Sequence, residues 1–132
     1  MDYEGWIKIL TIYKNQFSPE SSTVKFSYEL DKIKLSGFVV FYKGNFYAYQ
    51  NLCMHLSVDL DWKENDFLDD DGKFIVCATH GALYNPEDGN CISGPCQGKK
   101  LKKIAFKEQA DKIIVNKRIE IVKKAFLVLL VL

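Results

Sequence analysis

The sequence predicts a small all-β domain. Short apolar or alternating runs recur along the 132 residues with turn residues between them. No run keeps the i, i+3, i+4, i+7 spacing of an amphipathic helix over helical length. A chain of this length suits one domain, residues 1–132, that buries a core of its own.

The strands are predicted from the turn signals that separate them. A polar loop with Ser18-Pro19 divides the first two apolar runs, and Gly44-Asn45 suits a primed hairpin turn between the third and the fourth. A second hairpin turns at Asp69-Asp70-Asp71-Gly72, and Asn85–Gly89 forms a later turn. The predicted strands are Trp6–Ile12, Val24–Leu30, Gly37–Tyr42, Phe46–Gln50, Phe67–Leu68, Lys73–Val76, Ala82–Tyr84, Asn90–Ile92, Leu101–Phe106 and Lys112–Val115, with Arg118–Val122 as an extension.

The two histidines of the chain each lie close to a cysteine. They form the pairs Cys53-Met54-His55 and Cys77-Ala78-Thr79-His80, with 21 residues between the pairs. Two thiolates and two imidazoles are the mixed ligand set that holds the two irons of a Rieske 2Fe-2S centre. We therefore expect Cys53 and Cys77 on an inner iron and His55 and His80 on an outer iron near the surface.

These pairs occur together with Tyr84, Asp88-Gly89 and Gly94-Pro95, and the combination resembles the Rieske iron-sulfur family, nearest its soluble ferredoxin-like members. The match covers roughly residues 37–115. The resemblance implies an antiparallel β sandwich or barrel base with a cluster-binding subdomain, at about residues 51–98, of two ligand loops and a proline loop. It also implies one Rieske-type 2Fe-2S cluster, a one-electron carrier function and no catalytic residues.

The resemblance assigns four further residues to the surroundings of the cluster. Tyr84 matches the tyrosine that donates a hydrogen bond to a ligand cysteine sulfur, and Gly81 directly follows the second ligand pair. Gly94 and Pro95 fit the proline loop, where a fixed φ and a missing N–H suit a cap over the cluster.

The sequence also departs from the high-potential, respiratory branch of the family. Val58 and Thr79 stand where that branch carries two cysteines that form a disulfide, and Ala82 stands where it carries a serine that donates to a bridging sulfide. Each lost donor removes stabilisation from the reduced cluster. We therefore expect a potential near the low end of the Rieske range of about −150 to +300 mV.

Four other functions fit parts of the same pattern. A Cys2His2 structural zinc site uses the same ligand types, although its cysteines and histidines usually come in separate C-x2-4-C and H-x3-5-H pairs. A Rieske oxygenase needs two more histidines and a carboxylate for a mononuclear iron, and this chain has no spare histidine. The remaining two interpretations are a small Rieske subunit of a reductase complex and an interaction module without metal.

The expected partners are redox proteins, a reductase on one side and an oxygenase or other acceptor on the other. The formal net charge of +1 gives no indication of a basic surface that binds nucleic acid. No secretory signal is visible, so a cytoplasmic location is expected. The apolar residues 125–132 are too few for the ~20 that span a membrane. They are expected to pack as a strand or to end the chain without order, with an interfacial anchor or an adhesive tail as the alternatives.

Two features keep more than one interpretation. The seven acids between Asp59 and Asp71 are either a solvated surface or an acidic surface that orients a redox partner. Cys91 and Cys96 are either free thiols, a disulfide across the proline loop or alternative ligands.

Overall fold

The computed structural model describes residues 6–19, 21–30, 32–53, 59–61, 66–79 and 81–118. In these ranges the regular structure is antiparallel strand, with one 3-10 turn at Lys14–Gln16 and no α-helix. No helix of the described part has the length and apolar character needed to cross a bilayer. The strands are β1 (Trp6–Tyr13), β2 (Thr23–Leu30), β3 (Ile33–Tyr42), β4 (Asn45–Gln50), β5 (Ile75–Val76), β6 (Leu83–Tyr84), β7 (Cys91–Ser93), β8 (Phe106–Gln109) and β9 (Lys112–Arg118).

The chain divides into two compact units. The first unit is drawn from both ends of the chain, up to residue 14 and from residue 105. It contains one antiparallel sheet in the order β1-β9-β8. The side chains of Ile12, Ile113 and Val115 are buried, and Tyr13 lies opposite Lys112 at the end of the β1–β9 ladder.

The second unit, residues 15–104, contains two sheets of three antiparallel strands, β2-β3-β4 and β5-β6-β7. In the first of these sheets the central strand β3 is buried on both faces, because consecutive side chains of a strand point to opposite sides and Phe38, Val39 and Val40 all have no exposed area. The second sheet has shorter strands and carries the candidate site. The prediction of an antiparallel all-β fold is therefore confirmed.

The core of the second unit contains residues of both sheets. Phe38 on β3 stacks on Phe67, with ring centroids 4.0 Å apart and planes at 13°. Tyr49 on β4 joins the same buried cluster, as do the thiol-bearing residues Cys53 and Cys77. Two predicted iron ligands thus lie in the main apolar core of this unit.

The first four predicted strands are confirmed as β1 to β4, each somewhat longer than predicted. The turn between β3 and β4 was predicted at Gly44-Asn45, and this is wrong by one residue. Tyr42 pairs with Asn45, so the two central residues are Lys43 (φ 50°) and Gly44 (φ 85°). Two positive φ values are what a type I′ turn requires, and here Lys43 accepts one of them.

The second predicted hairpin is present in a shorter form. Leu68 pairs with Ile75 in an isolated bridge, and the turn closes through a hydrogen bond from Gly72 N to Asp69 O of 2.9 Å. The strand after the turn is reduced to Ile75–Val76, and it still brings the chain directly to Cys77.

The predicted strand Leu101–Phe106 is wrong, because this stretch changes its partner. The N–H of Ile104 donates to Ala48 O on β4, whereas β8 begins only at Phe106 and pairs with β9. Of the predicted extension Arg118–Val122, only Arg118 is described, as the end of β9. Residues 125–132 lie outside the described ranges, and the single domain over residues 1–132 stays a prediction.

Candidate metal centre

Cys53 follows β4 after two residues that the backbone holds in place. Asn51 N donates to Ser36 O on β3 at 2.8 Å, and Leu52 N donates to Gln50 O at 2.9 Å. The Cys53 side chain has no exposed area. The hairpin β3–β4 therefore leads directly to this thiol, which lies in the core.

A buried polar network joins the two ends of the first ligand loop, which is the segment from residue 51 to residue 61. The Asn51 side chain accepts a hydrogen bond from Leu60 N at 2.8 Å and donates to the Asp61 carboxylate at 3.0 Å. Lys25 Nζ on β2 donates to the other oxygen of Asp61 at 3.0 Å, and the Asp61 side chain has no exposed area. Because buried polar groups are costly unless paired, this network fixes where the loop leaves the sheet and where it returns.

Sequence reasoning missed both Asn51 and Asp61. Asp61 belongs to the acidic run that was interpreted as surface, and four other acids of that run, Asp59, Asp66, Asp70 and Asp71, are indeed exposed. The carboxylate of Asp69 has a structural role, since it accepts hydrogen bonds from the N–H groups of Lys73 and Phe74. No local sequence signal separates Asp61 from its exposed neighbours.

The second ligand loop is a tight turn that begins at Cys77, whose side chain also has no exposed area. Cys77 N donates to Ala82 O at 2.9 Å, and Gly81 N donates back to Cys77 O at 2.7 Å. Gly81 has a φ of +69°, a conformation that glycine adopts without strain. Ala78 N donates to Leu60 O at 2.8 Å, so one backbone hydrogen bond joins the two ligand loops.

The predicted proline loop follows β7 and packs on the second ligand loop. A Cβ atom at Gly94 would lie 2.8 Å from Ala82 Cα, closer than real contacts allow, and Gly94 also has a φ of +105°. Only glycine permits this approach. Pro95 next to it is exposed.

Tyr84 on β6 is fully buried, and its hydroxyl lies between two sulfur atoms. Tyr84 Oη is 3.7 Å from Cys53 Sγ, and Cys96 Sγ donates to the same Oη at 2.9 Å. A thiolate can only accept, so with Cys53 as an iron ligand the phenol O–H is the donor of the first contact.

A second buried tyrosine fixes the turn after β6. Tyr49 Oη donates to Pro86 O at 2.6 Å. Burial, and then the nearby charge of Asp88, raises the pKa of Tyr49 above its ordinary value, so the phenol keeps the proton that it donates.

Of the four predicted ligands, the structure describes two. His55, with residues 54–58, and His80 lie outside the described ranges. Within those ranges, His, Cys, Asp and Glu side chains form no group of three or more that would hold a metal ion. The two described donors fit an iron-sulfur cluster, because both are buried in one apolar core, neither takes part in a disulfide, and Cys53 has a phenol hydroxyl beside its sulfur.

The remaining cysteines are free thiols that lie against each other. Cys96 Sγ is 2.7 Å from Cys91 Sγ, and no disulfide joins any of the four cysteines. Burial, together with the neighbouring Cys96 thiol, raises the pKa of Cys91 to about 11. The sequence had left free thiols, a disulfide and alternative ligands open for this pair.

A comparison with protein families identifies the domain. The sequence model of the Rieske [2Fe-2S] domain matches residues 13–119. The chain belongs to the Rieske family. The cofactor of this Rieske domain is accordingly a Rieske-type 2Fe-2S cluster.

Solved structures of Rieske proteins share the fold of this chain. The ferredoxin of carbazole 1,9a-dioxygenase from Nocardioides aromaticivorans IC177 is 19% identical with a TM-score of 0.59, and the match covers 83% of this chain and 95% of that chain. The terminal oxygenase of carbazole 1,9a-dioxygenase from Novosphingobium sp. KA1 is 14% identical with a TM-score of 0.60, and the match covers 85% of this chain and 29% of that chain. In the reduced complex between oxygenase and ferredoxin in carbazole 1,9a-dioxygenase, the matched chain is 18% identical with a TM-score of 0.62. The match covers 85% of this chain and 28% of that chain. This Rieske chain therefore spans less than a third of these two longer chains, and no curated protein sequence matches it.

Proposed function

We propose that this Rieske protein is a one-electron carrier in which Cys53 and Cys77 bind the inner iron and His55 and His80 bind the outer iron. The observation that carries the proposal is the pair of fully buried thiols at the starts of two loops that one backbone hydrogen bond joins. Thiolates in an apolar core need a positive partner, and two ferric ions supply it.

The surrounding residues prepare this site for a change of charge. When bound, the cluster supplies a one-electron couple. The Tyr84 hydroxyl donates to Cys53 Sγ and stabilises the more negative, reduced state. Residues such as Phe38 and Phe67 keep water away from the thiol side, so this hydrogen bond acts in a medium of low dielectric constant.

The proposed partners are a reductase that supplies the electron and an oxygenase or other acceptor that takes it. The match covers 95% of the ferredoxin of carbazole 1,9a-dioxygenase, and the matched structures include a complex of reduced oxygenase and oxidized ferredoxin in carbazole 1,9a-dioxygenase. These two matches support the proposal.

A matched series of cysteine variants tests the ligand set. Protein produced under iron-replete, anaerobic conditions should contain about two irons and two acid-labile sulfides per chain and take up one electron. The reduced protein should give a rhombic EPR signal. Cys53→Ser, Cys77→Ser, His55→Ala and His80→Ala should each abolish the native signal, whereas the control Cys91→Ser should keep it.

Three results would contradict this assignment. Retention of the native EPR signal in any of the four ligand variants would remove that residue from the ligand set. Loss of the signal in Cys91→Ser, with iron content lowered to the same extent, would indicate that Cys91 and Cys96 bind the inner iron. A colourless protein with stoichiometric zinc and no sulfide would replace the cluster by a structural zinc site.

A further inference from the structure

The thiol pair beside the proline loop belongs to a closed turn of the backbone. Cys91 begins β7, and its N–H donates to Lys99 O at 2.8 Å; Lys99 N donates to Cys96 O at 2.9 Å. These two bonds bring both cysteines to the base of the same loop. Their sulfurs are 2.7 Å apart, so about 0.7 Å of movement would reach the ~2.05 Å length of an S–S bond.

The pair is buried, although the loop between its two cysteines is open to solvent. Cys96 is 1% exposed and Cys91 is 6% exposed, whereas residues 92–95 between them are all exposed. Cys91 is therefore the more exposed residue of the pair, and we take it as the site of first attack. Its raised pKa of about 11 leaves little thiolate at neutral pH, so reaction is slow and Cys91 keeps its proton in the reduced protein.

The pair is also connected to the proposed iron ligand through one side chain. The single S–H of Cys96 has two acceptors within reach, Tyr84 Oη at 2.9 Å and Cys91 Sγ at 2.7 Å, and it donates to Tyr84 because a phenol oxygen is a stronger acceptor than a thiol sulfur. Tyr84 Oη in turn lies 3.7 Å from Cys53 Sγ. A hydroxyl that accepts one hydrogen bond becomes a stronger donor of the next, because the bonds polarise one another. The Cys96 proton thus strengthens the hydrogen bond that Tyr84 gives to Cys53.

We propose that Cys91 and Cys96 are a redox-switched thiol pair, which a low-molecular-weight disulfide converts to an intrachain disulfide and which thereby tunes the reduction potential of the cluster through Tyr84. The effect on the cluster rests on the proposed function, but the thiol chemistry does not. Oxidation removes the S–H donor of Cys96, weakens the Tyr84 donor to Cys53 and lowers the potential.

The reaction balances without a further reactant. The Cys91 thiolate attacks the small disulfide RSSR, which forms a Cys91–S–S–R bond, breaks the R–S–S–R bond and releases one thiol, RSH, once a proton is added. The Cys96 sulfur then attacks Cys91 Sγ, forms the intrachain bond and releases the second RSH. Two electrons pass to the small disulfide, and the two thiol protons leave on the two RSH molecules.

Thiol labelling of the cluster-loaded protein tests the switch. The protein is equilibrated in buffers with increasing ratios of glutathione disulfide to glutathione, quenched in acid, denatured, labelled with N-ethylmaleimide and digested with trypsin. The tryptic peptide 74–99 contains Cys77, Cys91 and Cys96, and the peptide 44–63 contains only Cys53. We expect the labels on peptide 74–99 to fall from three to one, while peptide 44–63 keeps its single label in every buffer.

The matched control is Cys96→Ser. Its peptide 74–99 should keep at least one label in every buffer, because Cys91 has no second thiol to pair with and can only exchange its label for a glutathione adduct. Loss of both labels without any adduct would show that Cys77 pairs with Cys91 and would overturn the assignment. Three labels on the wild-type peptide in the most oxidising buffer would also overturn it. This result is independent of the proposed function, because it counts thiols whether or not a cluster is present.

The coupling to the cluster is tested by redox titration of the same preparations. The oxidised pair should give a lower midpoint potential than the reduced pair in the wild type, and no difference should remain in Tyr84→Phe. Equal potentials in the wild type, with labels that do switch, would refute the coupling. If the protein takes up no cluster even when it is produced under iron-replete, anaerobic conditions, but its labels still switch, the proposed function is refuted and the thiol pair is supported.

Discussion

Replacing Tyr84 by Phe should lower the reduction potential of the protein by about 20 to 40 mV. The substitution removes only the hydroxyl, which lies 3.7 Å from Cys53 Sγ, and keeps the buried ring in place. Because this hydrogen bond favours the more negative, reduced state, its loss makes reduction harder.

The magnitude follows from the geometry of this contact. An intramolecular hydrogen bond contributes about 0.5–1.5 kcal/mol net, and for a one-electron couple a tenfold change in equilibrium constant, ~1.4 kcal/mol, corresponds to about 59 mV. The whole range would be about 20 to 65 mV. The long contact to a sulfur atom favours the lower half of this range.

A redox titration followed by visible absorption or EPR measures the shift. Tyr28→Phe is the matched control, because it removes a phenol hydroxyl from β2, where the ring packs beside Phe26, and should leave the potential unchanged. An unchanged or raised potential in Tyr84→Phe, with an intact cluster signal, would refute the argument. An equal fall of the reduction potential in both variants would show that the shift comes from a general loss of packing and not from the hydrogen bond to Cys53.

Three further predictions concern the packing of the loops and the reactivity of the thiol pair. Gly94→Ala should lower the free energy of unfolding by about 2–4 kcal/mol, because the new Cβ would lie 2.8 Å from backbone and φ is positive. Its control, Gly98→Ala, has a positive φ but open space around it and should lower the free energy of unfolding by only about 1–2 kcal/mol. Asp61→Asn should cost about 2–3 kcal/mol, because it leaves a lysine that is only 18% exposed without its carboxylate, whereas Glu108→Gln in an exposed ion pair should cost less than about 1 kcal/mol. The rate at which iodoacetamide labels Cys91 should rise about tenfold per pH unit from pH 7 to pH 9, because the thiolate reacts and the pKa is about 11.

Each of these has a result that would contradict it. Denaturant unfolding that shows equal losses for the two glycine variants would mean that the proline loop does not press on the second ligand loop. Equal and small losses for Asp61→Asn and Glu108→Gln would mean that the Asp61 network does not hold the first loop. A labelling rate that levels off near pH 8.5 would indicate an ordinary thiol at Cys91.

Much of the fold could be predicted because its signals are local. Turn residues mark both hairpins, and each hairpin ends at a cysteine of the ligand pairs. The error of one residue at the first turn has a physical reason. Asn45 is a residue that commonly takes positive φ, but Lys43 takes it instead, because the strand register pairs Tyr42 with Asn45.

The parts of the site that could not be predicted depend on contacts distant in sequence. Asp61 looks like its exposed acidic neighbours until Lys25, 36 residues earlier, is placed beside it. The contact between Cys96 and Tyr84 likewise depends on the backbone closure at Lys99, which the spacing of the cysteines does not reveal.

The hydrogen bond from Ala78 N to Leu60 O has a consequence for how the two ligand loops respond to a reductant. A bond of this kind contributes about 1 kcal/mol and forms or breaks without any change in oxidation state. A thiol reductant therefore leaves this connection between Leu60 and Ala78 intact, whereas a disulfide at the same place would be opened by it.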